Sequence, residues 1–324
     1  MKHKIIIDTD PGIDDTMAIA YAIAHPDIEL VALTTIFGNV SVSDATDNAL
    51  KLLHFFGHPA EVARGEKRPL TIAPNPHSYF VHGPNGLGGI ELPASSRTAT
   101  IQSAAEYLVS KTREMPGEID ICAVGPLTNL ARALEIDPTI VERVKSVVVM
   151  GGSIYRTGNV SPVAEANIWN DPHAAEAVFA ASWPLVLAPM DVTTQVVLSP
   201  EFFLDLQAAN PRTGKLLADM ARYYTKFYRS HSGINGCIPH DVMALAYLTI
   251  PGVYMQKRGA IAVVTEGPGI GQTIFQPTGQ LAVSTMWGER PQHLALLDID
   301  PGLFAAHYYS TIASEITPTE TVLY

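Results

Sequence analysis

Charge is scarce in this 324-residue chain, with only 16% of residues Asp, Glu, Lys or Arg. Positive charge is scarcest: 21 Lys plus Arg stand against 32 Asp plus Glu, a formal net charge of −11. Phosphate contacts need clustered Lys and Arg, so this deficit argues against nucleic acid as a partner. It argues equally against docking on anionic membranes. Cysteine is nearly absent. Cys122 and Cys237 cannot build a disulfide framework, and their spacing fits no zinc motif, so a reducing cytoplasm is the expected setting. No apolar run reaches the roughly 18 residues of a membrane helix. The opening Met1 to Asp8 has no apolar region of the length that secretion signals carry, and none is expected. Linkers, repeats and low-complexity tracts are also missing, which leaves one domain over residues 1–324. Apolar residues are plentiful at 47%, ample for a large core. The balance favours a small ligand bound with the help of a cation.

The apolar residues fall in short continuous runs separated by helical patterns. Lys4 to Asp8, Glu29 to Ile36, Ile119 to Val124, Ser146 to Met150 and Leu185 to Met190 read as strands. Asp14 to His25, Ser43 to Phe56, Ser103 to Glu114, Leu127 to Leu134 and Asp171 to Ala181 read as helices. Unbroken apolar strands imply burial on both faces, and strand-helix alternation implies a doubly wound, mostly parallel α/β sheet. Ser199 to Ile250 reads as mostly helical. Ala260 to Thr265 and Gln280 to Met286 read as a small β-rich addition at the sheet edge. The longest irregular stretches, 73–89 and 151–170, are candidates for function. Segments 73–89 and 221–237 are expected to be the loops that order around a ligand.

The most informative segment is Asp8-Thr9-Asp10-Pro11-Gly12-Ile13-Asp14-Asp15, with four carboxylates in eight residues at the end of the first strand. Open α/β sheets bind ligands at the carboxyl ends of their strands. A turn followed by a helix cap accounts for one or two of these acids. Four repel one another, and a hard cation such as Ca²⁺ or Mg²⁺ would relieve the repulsion. His240-Asp241 opens an apolar helix and offers a fifth acid, although alone it reads as a cap. Asn159, Glu165 and Asn167 stand in a polar loop and could hydrogen-bond several hydroxyls; alone they read as a loop leading to the Asp171-Pro172 helix start. Tyr224 and Tyr228, four apart, share a helix face and suit either a ligand pocket or an aromatic core stripe.

Together these segments resemble the nucleoside hydrolase family of the inosine-uridine-preferring type. Its DTDPGIDD signature is present letter for letter from Asp8 to Asp15. The match continues through Thr34-Thr35, Gly38-Asn39-Val40, His82 to Gly88, Val124 to Leu130, Met150-Gly151-Gly152, Asn159, Glu165, Asn167 and His240-Asp241. The chain is most similar to the bacterial non-specific ribonucleoside hydrolases, in part through Arg212 to Lys215 with Tyr223 and Ser230.

The resemblance implies a Ca²⁺ enzyme that cleaves the N-glycosidic bond of purine and pyrimidine ribonucleosides to ribose and free base, as in nucleoside salvage. It implies calcium held by Asp10, Asp15 and Asp241 with the Val124 carbonyl, and Asp10 as general base. Asp14, Asn39, Asn159, Glu165 and Asn167, with the Met150 backbone, would bind the ribose. His240 would protonate the leaving base, with His82, Tyr224 and Tyr228 around it. A homodimer or homotetramer is implied as well. Asn85 departs from the family, where many relatives have Asp. Trp169, Trp183 and Trp287 fall at no position that would stack a purine.

Two other classes remain open at this point. Asp8-Thr9-Asp10 also fits a haloacid-dehalogenase-like Mg²⁺ phosphatase, with Asp8 as nucleophile. A non-catalytic nucleoside- or ribose-binding protein would use the same polar loop. Gly267 to Gly271 is glycine-rich after a strand, but lacks the helix and acid of a dinucleotide site and reads as a turn.

Overall fold

A computed structural model describes residues 2–280 and 284–314. Its described strands are β1 (His3–Thr9), β2 (Ile28–Thr35), β3 (Glu61–Arg64), β4 (Ile119–Ala123), β5 (Ser146–Met150), β6 (Leu185–Ala188), β7 (Tyr254–Val263), β8 (Thr273–Pro277) and β9 (Gln292–Ile299). They form one sheet in the order β3-β2-β1-β4-β5-β6-β9-β7-β8. Every pairing from β3 across to β9 is parallel, while β7 runs antiparallel to both β9 and β8. This is the expected doubly wound sheet with a β-rich edge. No helix among the described residues is long and apolar enough to cross a membrane.

Strand residues alternate between two buried layers. Ile5 and Ile7 pack under the helices Ile13–Ala24, Val42–Phe56 and Thr213–Ser232, together with Met17, Leu52 and Leu217. Ile6 packs on the opposite face with Leu108, Leu130 and Phe179. Burial on both sides is why these strands carry no polar alternation. Local chemistry sets the helix ends. The Ser41 hydroxyl accepts from the Asp44 N–H, and Gly57 ends the same helix in the left-handed region at φ 65°. Asp171 accepts from the Ala174 N–H, with Pro172 in the first turn.

Several expected boundaries change. Ala260 to Thr265 belongs to the longer β7, whose first half, Met255 to Arg258, is exposed and shows no apolar run. The expected strand Gln280 to Met286 lies partly outside the described residues. Of the described part, Gln280 is in a bend and Thr285–Trp287 is a 3₁₀ turn. The strands that finish the edge are β8 and β9, and β3 is a four-residue strand with only two buried positions. The segment 221–237 is not a loop throughout, because the Thr213–Ser232 helix runs through most of it. That helix buries Leu216, Leu217, Met220, Tyr224 and Tyr228, and this apolar face keeps it continuous.

The chain runs β1-β2-β3 to one side, then returns to place β4 on the other side of β1. The reversal leaves a crevice beyond the carboxyl ends of β1 and β4, where sheets of this kind bind ligands. Asp10 leaves β1 there, and Val124 leaves β4.

Candidate active site

The turn after β1 bends Asp10, Asp14 and Asp15 back over the crevice. The Gly12 and Asp10 N–H groups both donate to the Asp15 carboxylate, at 2.9 and 3.2 Å, which pins the start of the Ile13–Ala24 helix. The Thr9 hydroxyl and the Asn39 amide also donate to Asp15. Asp241 reaches the same point from the His240–Ala246 helix. One carboxylate oxygen from each of Asp14, Asp15 and Asp241 lies within 4.8 Å of the others, and all three residues are buried.

Asp10 stands beside this trio. Its Oδ2 accepts from the Asn39 N–H at 2.6 Å, while its Oδ1 is buried without a partner. The carboxylate fits a cradle made by two glycines. A Cβ on Gly38 would lie 2.1 Å from Oδ2, and one on Gly125 would lie 2.7 Å from Oδ1. Burial, reinforced by Asp15 and Asp14, pushes Asp10 well above the usual carboxylate range. Asp241 is raised by burial and by Asp14, Asp15, Asp10 and Glu165; Asp14 is raised by burial and Asp15. No Lys or Arg among the described residues pairs with these acids. Buried like charges, an orphaned oxygen and oxygen-only donors fit a hard divalent cation.

A chain of hydrogen bonds leads away from the acids. The Tyr224 hydroxyl donates to Asp14 Oδ2 at 3.2 Å, and the Tyr228 hydroxyl donates to that of Tyr224 at 3.3 Å. Nε2 of His240 lies 2.9 Å from the Tyr228 oxygen, and its Nδ1 lies 2.7 Å from Oγ1 of Thr193. Asp14 can only accept when ionised, so the direction runs from His240 Nε2–H through both tyrosines to the carboxylate. Thr193 then donates to His240 Nδ1. Burial lowers His240 to about 4, leaving it neutral near pH 7. His82 accepts from the Ile13 N–H through Nδ1 at 3.2 Å. Burial, with His240 opposite, lowers it to about 3.

These groups open on a cavity of about 590 Å³ lined by Asp14, Asn39, His82, Val124, Met150, Asn159, Glu165, Asn167, Tyr224, Tyr228, His240 and Asp241 among others. Asp10 and Asp15 lie behind that wall, buried. Glu165 caps the short helix Ala166–Asn170: its oxygens accept from Gly152, Asn167 and Ile168 N–H groups. Burial still raises it to about 7. The Asn167 amide donates to the Val124 and Met150 carbonyls at 2.9 and 3.2 Å, tying the ends of β4 and β5 together. The Asn159 amide oxygen accepts from the Ala166 N–H.

Sequence reasoning missed several contributors. Thr193 follows β6 with no signal of its own. Phe227 stacks on His231 with centroids 4.6 Å apart, and exposed Phe80 meets Phe227 edge-on at 5.9 Å, forming an aromatic rim on the cavity. The spacing Phe227 to His231 held that clue. Asn85 turns its side chain to Leu87, Gly89 and Ile90 backbone groups, so it shapes the His82 loop. Asp8 speaks against the phosphatase reading. It is wholly buried, with Oδ1 taken by Thr34 and Asn129 at 2.5 and 2.8 Å, and is unavailable as a nucleophile.

Residues 5–306 match the family model described as inosine-uridine preferring nucleoside hydrolase. Uridine nucleosidase 1 of Arabidopsis thaliana is 43% identical over 276 residues, covering 85% of this chain and 82% of the relative. The non-specific ribonucleoside hydrolase RihC of Escherichia coli is 39% identical over 267 residues, covering 82% and 86%. The solved structure titled plant nucleoside hydrolase PpNRh1 superposes with a TM-score of 0.94 at 35% identity, covering 97% of this chain and all of that one.

Proposed function

Because the chain belongs to the inosine-uridine preferring nucleoside hydrolase family, we propose that it is a Ca²⁺-dependent ribonucleoside hydrolase acting on purine and pyrimidine ribonucleosides. The observation that carries this reading is the meeting of the buried carboxylates of Asp14, Asp15 and Asp241 at the β1/β4 crevice, beside the cavity that Asp14, Asp241 and His240 line. Asp10, Asp15 and Asp241, with the Val124 carbonyl, are the proposed calcium ligands; Asp14 lies close enough to join them. Calcium bound there would supply positive charge that orients a water and makes it more acidic.

The chain's own residues divide the remaining work. Asp10 is the proposed general base, since Asn39 fixes one oxygen and leaves the other free to take a proton. Asp14, Asn39, Asn159, Glu165, Asn167 and the Met150 backbone are proposed to hold the ribose hydroxyls. Acids so close to the sugar favour positive charge developing at C1′. His240 is the proposed donor to the departing base, and Tyr228, itself held by Tyr224, fixes its orientation. His82 borders the same pocket. Water attacking opposite the base gives inversion at C1′. A place in nucleoside salvage, a cytoplasmic setting and a homodimeric or homotetrameric state complete the proposal.

The deciding experiment is ribose release from inosine, uridine, cytidine and adenosine, with Ca²⁺ and with chelator. Release that depends on calcium is expected. A folded, calcium-loaded protein that binds these nucleosides without release would instead be a binding protein.

A further inference from the structure

Resting on the reading as a nucleoside hydrolase, we infer that Thr193 is a positioning residue for the reaction, whose hydroxyl fixes the tautomer of His240 and so places the ring proton where the departing base can take it. His240 meets two hydroxyls, one through each ring nitrogen. Nε2 lies 2.9 Å from that of Tyr228, and Nδ1 lies 2.7 Å from that of Thr193. Tyr228 stands on the cavity wall, whereas Thr193 is wholly buried and outside that wall. Only a proton on Nε2 is therefore on the cavity side. A proton on Nδ1 would point at Thr193 and leave the ring with nothing to give the base.

Each hydroxyl has one hydrogen to donate. That of Tyr224 goes to Asp14 and that of Tyr228 goes to Tyr224, so the Tyr228 oxygen accepts from His240. The Thr193 hydroxyl has no other partner among the described residues, and its hydrogen is the one available to the bare Nδ1. Which nitrogen of an imidazole carries the proton is set by the bond that the other makes. The backbone holds this hydroxyl in place. Thr193 closes the Met190–Thr193 turn after β6, where its N–H donates to the Pro189 carbonyl at 3.1 Å and the Met190 N–H donates to the Gly152 carbonyl at 2.9 Å. Buried Asp191 ties the same turn to the Ile154 and Tyr155 N–H groups at 2.7 and 2.8 Å. A β-branched side chain on so fixed a backbone has few rotamers. As the base departs, Nε2–H exchanges its bond to Tyr228 for one to the base, the proton transfers, and the electron pair of the broken C1′–N bond leaves with the base.

Two measurements on the calcium-loaded full chain test this. Long-range proton–nitrogen NMR correlation on protein with nitrogen-labelled histidine reads the tautomer, with the His240 signals identified by their loss in His240→Gln. The proton is expected on Nε2 in the wild type, and on both nitrogens in exchange in Thr193→Val. Thr193→Val should also lower kcat for inosine roughly tenfold, the worth of one hydrogen bond, with KM and nitrophenyl riboside turnover little changed. Thr193→Ser, which keeps the hydroxyl, should restore inosine turnover. A proton on Nδ1 in the wild type overturns the inference whether or not the variant folds. So does Thr193→Val with wild-type inosine turnover, or with equal losses on inosine and nitrophenyl riboside, which would mark a structural role alone. Release of ribose from uridine but not from inosine overturns this inference alone. No release from either overturns it together with the nucleoside hydrolase reading.

Discussion

Nε2 of His240 lies 2.9 Å from the Tyr228 hydroxyl, so the imidazole is held in one orientation over the cavity. Burial keeps that ring neutral near pH 7. Its proposed role is therefore to donate a proton to the leaving base from a ring whose orientation Tyr228 and Thr193 fix, rather than to store a charge. His240→Ala should cut inosine turnover by roughly 10²- to 10⁴-fold, the usual reach of general acid catalysis. It should cut nitrophenyl riboside turnover far less, because that leaving group needs no proton. Tyr228→Phe should follow the same pattern more weakly. Equal losses on both substrates would rule out the acid role.

Asp10 is held by Asn39 at one oxygen and has nothing on the other. Asp10→Ala should lower kcat by roughly 10³-fold or more while calcium still raises the melting temperature. Substantial residual turnover would remove Asp10 as base.

The glycine cradle offers a test that leaves every acid in place. In Gly38→Ala the new Cβ would lie 2.1 Å from Asp10 Oδ2, so the carboxylate must move. A loss of about 10²-fold in kcat is expected, since catalytic groups lose that much when displaced by about 1 Å. Wild-type kinetics in a folded Gly38→Ala protein would show that the position of Asp10 is not critical.

Stability should depend on pH in the direction set by the raised acids. Glu165 moves from 4.5 to about 7 and Asp8 from 3.8 to about 7, both chiefly through burial. The folded state therefore keeps these protons where the unfolded chain has lost them. The resulting stability is full below the ordinary carboxylate range and is lost as pH rises through about 7. In chelator the melting temperature should fall between pH 5 and 8. Added Ca²⁺ should raise it by roughly 5 °C at the upper end, because a ligand bound only to the folded state stabilises it. Thermal melts that rise with pH in chelator would contradict this account.

Deoxyribonucleosides should be poor substrates. Removing the 2′-hydroxyl leaves buried acceptors around Asp14 and Asn39 without their partner, a mismatch that can cost roughly 10⁴-fold in kcat/KM. Comparable rates for uridine and 2′-deoxyuridine would place the sugar elsewhere.

Much of this protein was legible along the chain. Ile5-Ile6-Ile7 and Val147-Val148-Val149 carry no polar alternation because both faces of the sheet are covered, and with the strand-helix alternation along the chain this points to a parallel α/β architecture. The crowding of Asp8, Asp10, Asp14 and Asp15 was visible because local repulsion is a property of sequence spacing. A β-rich edge was legible, but its extent was not: Met255 to Arg258 in the first half of β7 are exposed and form no apolar run, and β3 is too short to leave a pattern. Tertiary structure alone decided which acids meet. Asp8 turned inward to Thr34 and Asn129, while Asp241 crossed more than two hundred residues to join Asp14 and Asp15. Thr193 behind His240 was likewise unreadable, because side-chain partnership across a fold depends on where strands end in space and leaves no periodicity in the sequence.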